Sequence, residues 1–298
     1  MAAIVCLGIA VRDLVFRVAS LPPVAQKTVA SAFLRDGGGM AATAAVAAAA
    51  LGGTVSYWGR LGDDATGREL GADLESHGVR VRCNAVPGTQ TPISAVLVAD
   101  DGERMLTVYP GRLDESADWL PLRELAGVQA VHADFRWLSG ATALFAAAAQ
   151  RGIARVLDAD AGDPQAVRAL LPLADHAIVS QSGLAELSGH SDVEAGLRAL
   201  APHAPGVVAA TLGAQGSVFL VDGALHRIPA PAVAATDTNG AGDVFHGAYA
   251  LALAEGKDVI AAARFASVAA ALKCRNGSGW KAAPARAEVE TLLKEYRW

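Results

Sequence analysis

Short runs of apolar residues alternate with helical patterns over most of the chain. Residues 4–9 form a continuous apolar run followed by polar residues, the pattern of a strand buried on both faces of a sheet. From residue 128 onward strands and helices alternate, which predicts parallel βαβ units. The predicted strands are 128–133, 155–157 and 176–179, and the predicted helices are 141–150, 164–171 and 193–200.

Two regions do not fit the parallel pattern. Residues 14–35 contain two strand-like runs on either side of Pro22-Pro23. The second region consists of two β-rich runs of alternating pattern, 94–99 and 104–109, joined by residues 100–103. This pattern predicts a β-hairpin. Together the two regions predict a small antiparallel lid sheet. Its open edges favour pairing with a second copy of the chain, so we expect a homodimer joined through the lid.

The stretch Asp237-Thr-Asn-Gly-Ala-Gly-Asp243 directly precedes an apolar helical run, 244–253. Gly240 and Gly242 remove side chains where a backbone must pass close to an anion. The free N–H groups of residues 240–243 would lie at a helix N-terminus, where anions bind favourably. Asp243 would lie beside them as a carboxylate able to accept a proton from a hydroxyl. The alternative is that Asp243 only caps the helix.

Other polar or glycine-rich positions also follow predicted strands or precede helices. Asp13 follows the first strand, on the side where ligands collect in parallel sheets, and the alternative is that it is only a turn residue. Arg136 follows strand 128–133 and is either an anion clamp or a surface residue. Gly37-Gly38-Gly39 precedes helix 41–51. The spacing Thr211-x-Gly213-x-x-Gly216 after 207–211 allows a phosphate to approach the backbone, but it is a weak signal alone.

Composition excludes several classes of protein. Of 298 residues, 52% are hydrophobic and 18% charged, which excludes a disordered chain. The net charge of −5 gives no general attraction for nucleic acid, so an anionic substrate needs local cations. The three cysteines are scattered and odd in number, which favours reduced thiols in a cytoplasmic protein over a zinc site. The N-terminal run lacks a basic segment, and 40–51 is too short to span a bilayer, so we expect no membrane association.

The stretch 237–243, read as Asp-Thr-x-Gly-Ala-Gly-Asp, resembles the C-terminal signature of the ribokinase-like, phosphofructokinase-B type sugar kinases. The resemblance extends over the full chain. It implies one domain, 1–298, with a three-layer α/β/α ribokinase-like fold, a mostly parallel central sheet and a β-sheet lid. It also implies ATP-dependent phosphorylation of a primary hydroxyl of a sugar. In this family Asp243 corresponds to the catalytic base, and Gly240, Ala241 and Gly242 correspond to the anion hole.

The resemblance also implies the remaining site residues. Thr43 stands where the family has a sugar-binding Asn. Ser180 and Gly183 replace the two residues of a metal-associated Asn-x-x-Glu pair. The metal ligands therefore stay unassigned, and Mg²⁺ is expected to be held by the nucleotide and water. A monovalent cation near Asp237 is common in the family. The implied substrate residues are Asp13, Lys27, Gly38, Gly39, Thr43 and Arg136, and the implied ATP-binding residues are Thr211, Gly213, Gly216 and Asn276.

Within the family the chain is most similar to the sulfofructose kinases, through residues 37–47, 133–137, 242–247 and 271–274. Those enzymes surround a sulfonate with a Lys, an Arg and an Asn. Lys27 and Arg136 match the first two, but Val108 stands in the Asn position. An acidic or sulfonated ketose is therefore the expected substrate. A neutral ketose or another small sugar is the alternative, and a non-catalytic sugar- or nucleotide-binding regulator is an alternative of another class.

Overall fold

The computed structural model describes residues 1–101, 103–296 and 298. The β-strands in chain order are β1 (Ala3–Gly8), β2 (Val11–Val18), β3 (Ala32–Gly38), β4 (Thr54–Gly62), β5 (Arg80–Val86), β6 (Ile93–Ala99), β7 (Arg104–Tyr109), β8 (Ala130–Asp134), β9 (Ala154–Ala159), β10 (His176–Ser180), β11 (Val207–Thr211), β12 (Ser217–Val221) and β13 (Ala224–Ile228). The α-helices are α1 (Met40–Ala50), α2 (Ala65–Ser76), α3 (Leu138–Ala149), α4 (Pro164–Leu170), α5 (Gln181–Ser188), α6 (Val193–Leu200), α7 (Ala241–Ala254), α8 (Val259–Asn276) and α9 (Arg286–Glu295).

A nine-stranded sheet forms the centre of the molecule, in the order β13-β12-β11-β10-β9-β8-β1-β4-β5. The strands from β11 to β5 are parallel, while β12 and β13 are antiparallel additions at one edge. Residues of β1 alternate between two apolar cores, because successive side chains of a strand point to opposite faces. Ile4 and Cys6 belong to one core, and Val5 and Leu7 belong to the other.

Helices cover both faces of this sheet. Helices α1, α2, α7, α8 and α9 enclose one core with Tyr57, Tyr249 and Phe265, and helices α3 to α6 enclose the other with Trp58 and Trp137. A parallel sheet must be covered on both faces, because βαβ crossovers place helices on each side. The predicted three-layer α/β/α arrangement is therefore confirmed.

A second sheet of four strands, in the order β3-β2-β6-β7, forms the lid. Strand β2 pairs parallel with β6, while the β2·β3 and β6·β7 pairs are antiparallel. The predicted hairpin is present as β6 and β7, although Gly102 in its turn lies outside the described residues. Asp13 lies within β2, and not in the loop after the first strand as its position had suggested.

Several elements have no counterpart in the sequence prediction: β5, α5, α9, and the hairpin of β12 and β13. The hairpin had a signal, because Asp222-Gly223 joins its strands with positive φ angles of 48° and 79°. Such a pair is the preferred two-residue hairpin turn. Among the helices that the structure describes, none has the length and apolar character to cross a membrane.

Candidate active site

The main cavity lies between the lid and the carboxyl edge of the large sheet, and its volume is about 640 Å³. One face of the lid supplies alternate residues of all four strands, because registered strands direct alternate side chains to the same side. The opposite wall comes from the ends of β1, β8 and β9 and the start of α7. The cavity brings together eight of the predicted site residues, namely Asp13, Gly38, Gly39, Thr43, Arg136, Gly240, Gly242 and Asp243.

Helix α7 begins at the predicted glycine turn. Gly240 precedes the helix with φ +74°, in the left-handed region that favours glycine. The N–H of Ala241 donates to Thr238 O at 3.3 Å, whereas the N–H groups of Gly242 and Asp243 have no acceptor among the described residues. A Cβ atom on Gly242 would meet no atom within 4 Å, so the space beside it is open. The turn therefore presents two free donors to an anion at a helix N-terminus.

Asp243 lies in the first turn of α7 and lines the cavity. Burial raises the pKa of its carboxyl well above the ordinary value; the negative charge of Asp158 adds to the rise, and His246 opposes it. Desolvation disfavours the charged form of an acid, which accounts for the direction. A carboxylate with a raised pKa is a stronger base toward a hydroxyl proton.

A buried polar cluster lies under this turn and consists of His132, Asp158 and His246. Asp158 Oδ2 is 3.3 Å from His246 Nδ1 and 3.9 Å from His132 Nε2. His246 Nδ1 is also 2.8 Å from the carbonyl oxygen of Gly242, so this ring contacts the backbone of the anion hole. Burial raises the pKa of Asp158 and lowers the pKa of both histidines, which favours the uncharged forms.

The cluster was not predicted as part of the site. Asp158 directly follows the predicted strand 155–157, and His246 lies within the predicted helical run 244–253, so neither was singled out as a site residue. A signal was present, since His246 interrupts an otherwise apolar buried stretch of α7. A buried polar side chain in such a stretch requires a partner.

Close packing explains the three glycines before α1. A Cβ on Gly37 would lie 2.4 Å from the Trp280 ring, one on Gly38 would lie 2.3 Å from Asp13 Oδ2, and one on Gly39 would lie 2.5 Å from Ile9 O. Gly39 also has φ +95°. These positions accept no side chain, and Gly38 brings the backbone against the Asp13 carboxylate. Their backbone therefore forms part of the cavity wall.

Thr43 and Asp13 line the cavity, and both also bond to other side chains. The Trp280 indole N–H donates to Thr43 Oγ1 at 3.0 Å, so this hydroxyl already has one partner. Asp13 Oδ1 accepts a hydrogen bond from Ser94 on the neighbouring lid strand. Burial raises the pKa of the Asp13 carboxyl, and the Ser94 hydrogen bond opposes the rise. Asp13 Oδ2 has no hydrogen-bond partner in the described part of the chain.

The buried carboxylate of Asp134 joins the elements around the cavity. Its oxygens accept hydrogen bonds from Ile9 N at 2.8 Å, Ala41 N at 3.1 Å and Arg136 N at 2.9 Å. Burial raises the pKa of Asp134 to about 6, although these three backbone donors lower it. The contacts hold the end of β1, the start of α1 and the backbone of Arg136 together.

The structure separates the two predicted substrate cations. Arg136 lines the cavity, with its guanidinium carbon 4.6 Å from the centre of the Phe135 ring. Lys27 is exposed in the loop between β2 and β3 and does not line the cavity. Four further arginines line the wall and had not been predicted, namely Arg17, Arg60, Arg104 and Arg112. Arg60 pairs with Glu115 and Arg104 lies close to Asp237, which leaves Arg17 and Arg112. In the described ranges, neither of them nor Arg136 forms an ion pair.

The predicted nucleotide residues lie outside this cavity. Thr211 ends β11, and Gly213 and Gly216 lie in the turn that leads to β12. Gly216 has a packing role, since a Cβ there would lie 2.0 Å from Ile228 O, whereas Gly213 has φ +57° and open space around it. Asn276 is exposed at the end of α8, and Cys274 O of that helix accepts hydrogen bonds from Thr236 N and Asp237 N. These backbone contacts join the end of α8 to the loop before α7.

Ser180, at the position of the family's metal-associated Asn, has a structural role. Ser180 caps α5 by accepting a hydrogen bond from Gly183 N at 3.0 Å. Within residues 1–101, 103–296 and 298, no three His, Cys, Asp or Glu side chains are grouped to hold a metal ion. A Mg²⁺ ion bound through nucleotide phosphates and water does not require such a group.

A free monovalent cation does not fit the surroundings of Asp237. Lys273 Nζ donates to Asp237 O at 3.1 Å and lies 3.9 Å from Asp237 Oδ1, so an ammonium group already contacts the oxygens that would hold the ion. Burial lowers the pKa of Lys273, and the charge of Asp237 opposes this effect. A second positive charge about 4 Å from the ammonium would be repelled by about 4 kcal/mol near a protein surface.

Comparisons with known proteins agree with this geometry. The pfkB family carbohydrate kinase profile matches residues 1–286. The Bacillus subtilis ribokinase is 30% identical over 94% of this chain and 96% of its own length. A provisionally assigned ribokinase from Agrobacterium tumefaciens superposes with a TM-score of 0.94 at 34% identity, over 99% of this chain and 98% of that one. The Arabidopsis thaliana ribokinase complexed with ribose and ATP superposes with a TM-score of 0.86 at 27% identity, over 99% of each chain.

Proposed function

The chain belongs to the pfkB family of carbohydrate kinases and is an ATP-dependent sugar kinase, and we propose that its acceptor is a primary hydroxyl of an acidic sugar. A sulfonated ketose is one member of this class. The reaction class follows from the family, whereas the acidic substrate is inferred from the side chains on the cavity wall.

The geometry supports a mechanism based on positioning and charge stabilisation. Asp243 would accept the proton of the acceptor hydroxyl, and the free N–H groups of Gly242 and Asp243 would bind the transferring phosphoryl group. Asp13 Oδ2 would accept a hydrogen bond from a second sugar hydroxyl. Mg²⁺, bound with the nucleotide, would neutralise phosphate charge. Thr211, Gly213, Gly216 and Asn276 would bind the nucleotide at the carboxyl edge of the sheet.

The acidic substrate is inferred from three guanidinium groups on the cavity wall that form no ion pair within the described residues, namely those of Arg17, Arg112 and Arg136. With a net charge of −5, the protein gains no general attraction for anions, so placed cations must supply any preference. Arg136 can offer two parallel N–H donors to an acid group. Val108 lines the lid side of the cavity, and its side chain has no hydrogen-bond donor, so the contact set differs from that of the sulfofructose kinases.

One alternative competes with an acidic sugar. It is a neutral sugar, because the Arabidopsis thaliana relative was solved with ribose. The non-catalytic binding protein considered from the sequence is not supported, since the family model and the relatives are carbohydrate kinases. The carboxylate of Asp243 and the open space at Gly242 agree with an enzyme.

A coupled ATP-consumption screen with neutral, carboxylated, phosphorylated and sulfonated sugars would test the proposal. We expect wild type to prefer an acidic sugar over its neutral counterpart. Arg136→Ala should raise KM for the acidic sugar by about 10–150-fold, the range of a charged hydrogen bond, and should change KM for the neutral sugar little. Arg123→Ala, which removes an exposed arginine outside the cavity, is the matched control. Preference for neutral sugars, or equal weakening of both, would reject the proposal.

The proposed assembly is a homodimer joined through the lid, and the proposed location is the cytoplasm. The edge strands β3 and β7 carry exposed apolar side chains, which supports the first proposal. The free cysteines Cys6, Cys83 and Cys274 are compatible with a reducing compartment.

A further inference from the structure

Lys273 places a buried ammonium group beside the loop before α7. Its side chain is only 2% exposed and lies on the largely apolar helix α8. A buried charge is costly unless it is paired and hydrogen-bonded, so its partners indicate what it does. The partners are the carbonyl oxygen and the carboxylate of Asp237.

The contacts extend from Lys273 to the anion hole. Asp237 Oδ1 accepts a hydrogen bond from Asn239 N at 2.7 Å, which shapes the turn that enters Gly240. The next residue of α8, Cys274, accepts hydrogen bonds from Thr236 N at 2.8 Å and Asp237 N at 3.2 Å. The end of α8 therefore holds the loop from two sides, and Lys273 supplies the positive charge that contacts Asp237 from the helix side.

The lid adds a second cation to the same place. Arg104 on β7 donates to Thr238 Oγ1 at 3.2 Å and lies 4.0 Å from Asp237 Oδ1. Asp237 therefore lies between two positive groups, those of Lys273 and Arg104. Its carboxylate and its carbonyl oxygen, which could bind a free cation, already contact these groups. A mobile ion at this position would be redundant and repelled.

We propose that Lys273 serves as a built-in monovalent cation, which holds residues 237–240 in the conformation for phosphoryl transfer and makes the enzyme independent of added K⁺ or Na⁺. The inference rests on the proposed transfer of a phosphoryl group at Asp243. Lys273 acts through Asp237 and is a positioning residue. Its charge has a fixed location, so it requires no ion from solution.

The test compares wild type, Lys273→Met, Lys273→Arg and the exposed control Lys294→Met in KCl, NaCl and tetramethylammonium chloride at equal ionic strength. Wild type and Lys294→Met should have the same turnover in all three salts. Lys273→Met should lose more than about tenfold in tetramethylammonium, as expected for a lost charged hydrogen bond, and should regain turnover in KCl. Lys273→Arg keeps the positive charge and should remain independent of the salt.

Thermal melting provides a readout without any substrate. A cation that binds the folded state raises the melting temperature, so KCl should stabilise Lys273→Met relative to tetramethylammonium and leave wild type unchanged. This measurement decides the inference even if no sugar in the screen is phosphorylated. Activation or stabilisation of wild type by K⁺ would overturn it, as would full turnover of Lys273→Met in tetramethylammonium or the absence of any rescue by KCl. If Lys273→Met does not fold, the salt responses of wild type and Lys273→Arg decide.

Discussion

At the scale of single residues, Asp243 combines a chemical role with an unusual environment. The side chain faces the cavity beside two free backbone donors, and the buried cluster of His132, Asp158 and His246 lies beneath it. Burial is the main cause of its raised pKa, and Asp158 adds to the rise. A general base works only when ionised, so this environment should be visible in the pH dependence of the rate.

Asp243→Asn should fold and bind ATP but lose roughly 10²–10⁴-fold in turnover, because it removes the base and keeps the size of the side chain. In wild type, kcat/KM for the sugar at saturating nucleotide should fall as the pH is lowered. Because the folded pKa is raised, the midpoint should lie above the value of about 4 of an ordinary aspartate. The variant should lack this acid limb. Turnover within a few-fold of wild type, or the same acid limb in the variant, would refute the assignment of Asp243 as the base.

Site residues that belong to a short local motif could be predicted from the sequence. Residues whose role depends on contacts with distant parts of the chain could not. Gly240, Gly242 and Asp243 form one short motif, and the structure places them together at the start of α7. Thr43 lines the cavity, but the Trp280 indole that donates to its hydroxyl lies 237 positions away, so this contact has no local signal. Lys273 was noted only as part of a family-like segment, because nothing nearby in sequence shows that it reaches Asp237.

At the scale of secondary structure, periodicity predicted the two sheets. The alternating pattern of β6 and β7 was sufficient to assign the hairpin, and the register places Ser94, Val96 and Val98 on the cavity side. The unbroken apolar run of β1 was sufficient to assign a buried central strand. The hairpin of β12 and β13 was missed because the glycines before it were interpreted as a phosphate loop, and its own turn signal at Asp222-Gly223 was overlooked.

The contact between β10 and α7 yields a prediction for stability. Burial lowers the pKa of His176 from 6.5 to about 4, and the Tyr249 hydroxyl lies 3.0 Å from His176 Nδ1. Burial also raises the pKa of the Tyr249 phenol, so the phenol stays protonated and can donate to the neutral ring. The folded state thus favours neutral His176, whereas the unfolded chain binds a proton below pH 6.5. The contribution of His176 to the free energy of unfolding is therefore complete above pH 6.5 and is lost as the pH falls toward 4.

The interval between the two pKa values corresponds to about 3 kcal/mol. Relative to His176→Gln, wild type should therefore lose about 3 kcal/mol of unfolding free energy between pH 7 and pH 4. Urea unfolding of both proteins across this range measures the difference, and His203→Gln, at an exposed position, is the control. Parallel pH profiles for wild type and His176→Gln would contradict the prediction.

At the scale of the whole molecule, the large sheet is covered on both faces, but the lid is not. All six residues of β7 are exposed, and its apolar side chains Met105, Leu106, Val108 and Tyr109 range from 39% to 52% exposed. On the other edge strand, Phe33 and Leu34 are exposed by 52% and 41%. Open apolar sheet edges are templates for pairing with another chain. We therefore expect the lids of two copies to cover each other.

Sedimentation equilibrium of wild type should give a dimeric mass across working concentrations. Met105→Glu places a charge on the face of β7 opposite the cavity, at a side chain that is 44% exposed, and burying this charge in the contact without a partner would be costly, so this variant should sediment as a monomer. Leu138→Glu changes a large apolar residue that is 37% exposed on α3, away from the lid, and it should remain a dimer. A monomeric wild type, or equal dissociation of both variants, would show that the lid does not join the subunits.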